Sequence, residues 1–198
     1  MRLLLTGFEP FGGDLINSSE ETVKAVACGE FDGIEVVTGT LPVSFKRAGT
    51  EICWLIDETE PDVVIMLGQS GKSACIKIER VALNLMDSSK GDNEGYIPDE
   101  ETVCPDAPAA YFTNMPVKAL RDCLMQSGIP ASVSNSAGLY VCNRTYFAAL
   151  HHIATTGRNT KVVFIHLPKI SDEWSVERMT AAIEQIITAT KYVYEKIK

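Results

Sequence analysis

Asp62-Val-Val-Ile-Met-Leu-Gly68 follows Pro61 and is a continuous apolar run closed by a glycine. It shows no polar/apolar alternation, so neither face is meant for water; this is the pattern of a central strand buried on both sides of a parallel sheet. Lys161-Val-Val-Phe-Ile-His166, ended by Leu167-Pro168, is a second run of the same kind. Working outward, Arg2 to Thr6 is a short strand candidate stopped by Gly7, and Gly33 to Leu41 is another, carried by Ile34, Val36 and Val37. The stretches between these runs read as helices. Ser18 to Cys28 opens with a Ser cap and the acids Glu20 and Glu21 in its first turn. Phe45 to Thr59 sets Ile52, Leu55 and Ile56 at core spacing before Pro61 ends it, and further helices are expected at about Pro116 to Ser127, Leu139 to Ala154 and Val176 to Ile197. Strands alternating with helices predict an α/β chain, a three-layer α/β/α sandwich around a mostly parallel, twisted sheet.

The 198 residues suit one domain spanning 1–198, long enough to bury a core without disulfides or a structural metal. Residues 88–116, rich in Gly, Pro, Asp and Asn, form an expected long loop or protruding segment, a feature that is usually functional or used in assembly. A formal net charge of −8 argues against nucleic acid and anionic membrane as partners, since both attract basic patches. No apolar run approaches the roughly 18 residues of a membrane span. The opening Met-Arg-Leu-Leu-Leu-Thr-Gly-Phe breaks at Gly7 before a signal-peptide core could form, so the sequence predicts a cytoplasmic protein. The six cysteines contain no C-x-x-C pair and have no histidine at ligand spacing, so they read as reduced thiols and no metal site is expected.

Three histidines can be sorted by geometry. His151 and His152 follow Cys142 by nine and ten residues on one expected helix, roughly 13 to 15 Å further along its axis at about 1.5 Å per residue, too far to act on that thiol. His166 instead ends a buried strand, where parallel α/β sheets place reactive groups. Cys142 follows the turn-like Asn135-Ser136-Ala137-Gly138 and falls in the first turn of its helix, where backbone N–H groups and the helix dipole favour a thiolate and could hold an oxyanion. The more ordinary role for a Cys beside Val141 is that of a small buried hydrophobe, and a strand-end His commonly bonds a carbonyl. Spacing cannot choose a third member from 26 acids. Glu79 stands out inside Cys75-Ile-Lys-Ile-Glu-Arg-Val-Ala-Leu, where an ion pair with Arg80 or Lys77 would also account for it.

Four ordered blocks carry a resemblance: Leu4-Leu-Thr-Gly-Phe-Glu-Pro-Phe-Gly-Gly13 with Asn17; Gly68-Gln-Ser-Gly71 leading to Ile78-Glu-Arg-Val-Ala-Leu-Asn84; Ser134-Asn-Ser-Ala-Gly-Leu-Tyr-Val-Cys-Asn143; and Phe164-Ile-His-Leu-Pro168. With Asp92-Asn-Glu-Gly95 and Gly128-Ile-Pro130, they make the chain similar over essentially its whole length to pyroglutamyl-peptidase I (pyrrolidone-carboxylate peptidase), a family of cysteine peptidases. The resemblance implies a phosphorylase/hydrolase-like fold and release of pyroglutamate from peptides that begin with it. It places the nucleophile on Cys142, the base on His166 and the orienting acid on Glu79, with no metal or organic cofactor. It further implies a lactam pocket drawing on Phe8, Phe11, Asn17, Gln69 and Val141, amides of Gln69 and Cys142 around the oxyanion, and a homo-oligomer, a tetramer in many members.

Two departures bear on that pocket. Ser89-Lys90 stands where many bacterial members have an Arg and an apolar residue, and Val43 replaces a common threonine, which predicts altered rate or affinity but not inactivity. Two other readings compete. Gly71-Lys72-Ser73 after a buried strand imitates the end of a phosphate-binding loop, but Met66 occupies the first required glycine and Ala74-Cys-Ile-Lys-Ile reads as a strand where that loop needs a helix. The other is a noncatalytic binding or redox homologue that keeps the fold.

Overall fold

A computed structural model gives the fold, with residues 1–71 and 73–197 described apart from the side chains of Val193 and residues 195–197. In chain order the elements are β1 (Arg2–Phe8), α1 (Ser18–Val26), β2 (Glu35–Leu41), α2 (Ala48–Thr59), β3 (Val63–Ser70), β4 (Ile76–Glu79), β5 (Val81–Leu83), β6 (Ala110–Phe112), α3 (Val117–Gln126), β7 (Ala131–Ser134), α4 (Val141–Thr156), β8 (Lys161–Pro168) and α5 (Val176–Ile197). Six strands form the main sheet in the order β2-β1-β3-β8-β4-β7. Four of the five neighbouring pairs are parallel; β4 runs antiparallel to β8, so β4 and β7 are reversed together. The expected mostly parallel α/β sandwich is the architecture found.

The two apolar runs are the middle of this sheet, β3 beside β8. Their residues sort by parity, because successive side chains of a strand point to opposite faces. Leu3 and Leu5, Val63, Ile65 and Leu67, Ile76 and Ile78, and Val163, Ile165 and Leu167 share one core with α1, α3 and α5. Leu4, Val64, Met66, Val162 and Phe164 share the other with α2 and α4. Parity therefore also decides which polar residues face α4.

Gly7 does not stop the first strand. The parallel ladder continues through Gly7 opposite Thr40 and Phe8 opposite Leu41. The glycine is there because α1 crosses close above it: a Cβ would stand 2.7 Å from the Ser19 carbonyl oxygen. The second helix begins at Ala48, three residues later than expected, because residues 45–47 form a turn that precedes it.

Ile76–Glu79 is a strand, which removes the phosphate-binding-loop reading; Lys72, the lysine of that reading, lies outside the described residues. Within residues 88–116 the one named strand is the short β6, which pairs with β5; the segment is further fastened by a Met86–Glu101 bridge, by backbone bonds such as Asn93 N to the Val43 carbonyl, and by side chains. Asn84 donates to the carbonyls of Cys104 and Ala107 at 2.7 and 3.2 Å and accepts from the Cys104 amide at 2.8 Å. Asp92 accepts from the Phe45 amide at 2.8 Å. Among the described residues, no helix is long and apolar enough to cross a membrane.

The close crossing at Gly7 gives a stability test. Gly7→Ala is expected to force helix and strand apart and to lower unfolding stability by about 1–3 kcal/mol, as overpacking does. The check is the denaturant midpoint at unchanged m-value.

Candidate active site

Parity puts His166 on the α4 side of β8, two residues after Phe164, and puts Lys77 and Glu79 on the same side of β4, since Ile76 and Ile78 point the other way. The antiparallel register sets Lys77 opposite His166 and Glu79 opposite Phe164. Glu79 thus lies one level deeper in the sheet than the imidazole. Glu79 is fully buried and His166 is 8% exposed. Glu79 Oε1 lies 2.8 Å from His166 Nδ1, so Nδ1 carries the proton toward the carboxylate and Nε2 is left for another partner.

Cys142 stands over the neighbouring strand. It is the second residue of α4, behind Tyr140, which supplies no side-chain cap to the first-turn amides. The thiol hangs over β3 at a glycine: a Cβ on Gly68 would stand 3.1 Å from Cys142 Sγ and 2.8 Å from the Phe164 ring. Gly68 pairs with His166 in the ladder, so thiol and imidazole sit over adjacent strands. Burial pulls the His166 pKa down, but hydrogen bonding and charge from Cys142, then from Glu79, outweigh it and raise the value to about 9. A thiol, an imidazole and a carboxylate in this order can hold a thiolate–imidazolium pair beside uncapped amides, a set suited to attack on a carbonyl.

The ambiguity over Glu79 is resolved. Its carboxylate is bonded to His166, while Arg80 Nη1 donates to Asn135 Oδ1 at 2.9 Å. His151 and His152 are elsewhere, as helix arithmetic predicts. Both line a separate cavity of about 350 Å³ between α2 and α4, where His151 Nδ1 meets the Tyr111 hydroxyl at 2.9 Å and His152 Nε2 meets Asp57 at 2.8 Å. All six cysteines are free, and among the described residues no group of three or more His, Cys, Asp or Glu could hold a metal ion.

Cys142 and His166 line a cleft of about 420 Å³ together with Phe11, Gln69, Lys77 and Tyr140. A second chamber of about 500 Å³ adjoins it, sharing Phe11, Gln69, Gly71 and Tyr140 and adding Ser89, Lys90 and the Lys169–Asp14 pair. Phe11 stands 6.1 Å from the Tyr140 ring, and Tyr140 is braced edge-on by Phe45 at 5.1 Å and by its hydroxyl on the Gly91 carbonyl at 2.9 Å.

The pocket residues expected from sequence fall into two groups. Phe11 and Gln69 reach the cleft wall. Phe8, Asn17 and Val141 are 2%, 1% and 1% exposed and are not part of that wall. Phe8 packs behind it on Phe164 at 6.3 Å. The Asn17 side chain caps α1, accepting from Ser19 N at 2.9 Å and Ser19 Oγ at 2.8 Å, and donates to the Glu9 carbonyl at 3.0 Å. Val141 and Val43 belong to the α2–α4 core. Gln69 is anchored by its own side chain, with Oε1 accepting from Ser18 N at 2.9 Å. Sequence reasoning missed Tyr140, Lys77 and Gly68. The period-two spacing of Lys77 from Glu79 was a usable signal; Tyr140 and Gly68 depend on non-local packing.

The chain has known relatives. The chain matches the family described as Pyroglutamyl peptidase over residues 1–196. The pyrrolidone-carboxylate peptidase of Thermococcus onnurineus is 44% identical over 194 residues, 98% of this chain and 96% of that protein. That of Thermococcus kodakarensis is 46% identical over 203 residues, covering 100% and 98%. Among solved structures, pyrrolidone carboxyl peptidase from Thermococcus litoralis superposes with a TM-score of 0.94 at 36% identity, covering 100% of this chain and 96% of the other. The Pyrococcus furiosus enzyme does so at 0.94 and 35%, covering 98% and 100%. By sequence over its full length and by fold, the chain belongs to the pyroglutamyl peptidase family.

Proposed function

We propose that the protein hydrolyses the amide bond after an N-terminal pyroglutamyl residue, with Cys142 as nucleophile, His166 as acid–base and Glu79 as the group that orients the imidazole. The observation that carries this reading is the buried 2.8 Å contact between Glu79 Oε1 and His166 Nδ1, which leaves Nε2 free beside the strand over which the Cys142 thiol lies. His166 takes the thiol proton, and Cys142 Sγ adds to the pyroglutamyl carbonyl. The oxyanion develops against the α4 first-turn amides and the Gln69 main chain. The imidazolium then protonates the departing amine as the C–N bond breaks and a thioester forms. Water, deprotonated by His166, opens the thioester and releases pyroglutamate.

Pyroglutamate is a neutral lactam ring. An ordinary N-terminal residue brings an ammonium, which this cleft would have to strip of water without a free acid to receive it, because Glu79 is committed to His166 and Asp14 to Lys169. The Phe11–Tyr140 pair supplies the apolar slot, with Phe8 and Val141 as the packing behind it and Asn17 fixing the loop that carries Phe11. Ser89 and Lys90 border the adjoining chamber and tune this pocket without creating it, whereas Val43 lies in the α2–α4 core. From the family resemblance we also infer a cytoplasmic homotetramer.

Chromophore release from a pyroglutamyl amide, set against alanyl and prolyl amides, tests the substrate and the nucleophile together. Wild type should cleave only the first, and Cys142→Ala should lower that rate by at least about a thousandfold, as loss of a covalent nucleophile does. Equal activity in the variant would remove Cys142 from the reaction; rapid alkylation of Cys142 without turnover of any pyroglutamyl substrate would favour a binding or redox homologue.

The protonation of His166 gives a second test. Its raised pKa means that the imidazolium needed to protonate the leaving amine is present below about pH 9 and is lost above it, so kcat/KM should fall on the alkaline side near that pH. Glu79→Gln removes one of the two charges that hold the proton. The alkaline limb should move to lower pH and the maximal rate should drop on the order of 10²- to 10⁴-fold. An unmoved limb would show that Glu79 does not act through His166.

A further inference from the structure

Gly68, His166 and Lys77 are consecutive neighbours across β3, β8 and β4. At about 4.8 Å per strand the row spans about 10 Å. The Cys142 thiol hangs over Gly68 at one end, the imidazole stands in the middle, and Lys77 occupies the other end, lining the same cleft. Lys77 shares its strand face with Glu79, yet the Glu79 carboxylate is bonded to His166, and among the described residues Lys77 has no hydrogen-bonding or ion-pair partner for its ammonium. An unpartnered cation beside a reactive pair, in a chain of net charge −8, calls for a ligand argument.

The order of the row supplies one, and it rests on the reading given under Proposed function. The leaving amine receives its proton from His166, so the departing chain must lie on the imidazole side of the thiol. The acyl lactam must then lie on the other side, where Phe11, Tyr140 and Gln69 stand. Beyond the imidazole the departing chain meets Lys77. The cleft is therefore polarised, with aromatic rings at the acyl end and an ammonium at the leaving end.

We propose that Lys77 forms a leaving-group subsite that binds a carboxylate carried by the first residue after the scissile bond. Two sources offer that chemistry: the side chain of an Asp or Glu at that position, or the free α-carboxylate of a pyroglutamyl dipeptide. Each departing residue advances an extended chain by about 3.3–3.6 Å, and a lysine side chain is long enough to meet either carboxylate one residue past the bond.

Paired substrates test this, with amine release followed for each: pyroglutamyl-Glu-amide against pyroglutamyl-Gln-amide for the side chain, and pyroglutamyl-Ala against pyroglutamyl-Ala-amide for the free terminus. Wild type should favour the charged member of at least one pair by roughly fivefold in kcat/KM, as a partly exposed ion pair allows, and the preference should shrink at high salt. The pair that shows it identifies the source of the carboxylate. Lys77→Met should bring the ratio to about one and Lys77→Glu should invert it; because the readout is a ratio within one enzyme, a general loss of rate or of folded protein does not imitate it. Turnover without any preference for the charged member would overturn the proposal, as would a preference that survives in Lys77→Met and disappears in Lys90→Met, which would seat the departing chain in the other chamber. Failure to cleave any pyroglutamyl substrate would remove the underlying reading as well, whereas cleavage without charge preference removes only this one.

Discussion

A fully buried carboxylate with one hydrogen-bonded partner governs this structure. Glu79 has no exposure; Oε1 is satisfied by His166, and Oε2 has no hydrogen-bond partner among the described residues. Burying a charged carboxylate costs several kcal/mol unless an opposite charge stands against it. The imidazolium form of His166 supplies that opposite charge, and the raised pKa of His166 favours it. The protonation state of His166 and the burial of Glu79 are thus one arrangement, which the surrounding sheet keeps dry.

The reversal of β4 makes the arrangement possible. In a parallel strand, two further residues would carry a side chain outward past the rim where His166 sits. Because β4 is antiparallel to β8, the step from Lys77 to Glu79 goes inward, from the level of His166 to that of Phe164. One strand face therefore delivers a carboxylate beneath the imidazole and an ammonium beside it, and only the first is screened from water. Glycine completes the geometry: at Gly68 the missing side chain is the space that the Cys142 thiol uses, and at Gly7 it is the space that α1 uses to bring its Asn17 cap next to the Phe11 loop.

Much of the fold was legible because its determinants are local. Uninterrupted apolar runs announced β3 and β8, and period-3.6 patterns announced the helices to within a few residues. The largest misreading, Gly7 as a strand end, took a glycine as local punctuation when its cause was a helix packed across it. The pocket shows the same limit. Phe11 and Gln69 reach the cleft, but Phe8, Asn17 and Val141 lie behind it, since a motif records which residues occur together and not which of them faces a cavity.

The sequence alone determined the α/β class, the placement of Cys142 in a helix's first turn and of His166 at a strand end, and the exclusion of His151 and His152, because rise per residue and side-chain alternation follow from covalent geometry. Family resemblance supplied Glu79 as an expectation. Only the tertiary structure decided that Glu79 bonds His166 instead of Arg80 or Lys77, that Tyr140 stands against Phe11, and that Lys77 lies across the imidazole from the thiol. These depend on strand order, on the direction of β4 and on helix–sheet approach, which are set by burying two apolar faces at once and are written in no single stretch of the chain.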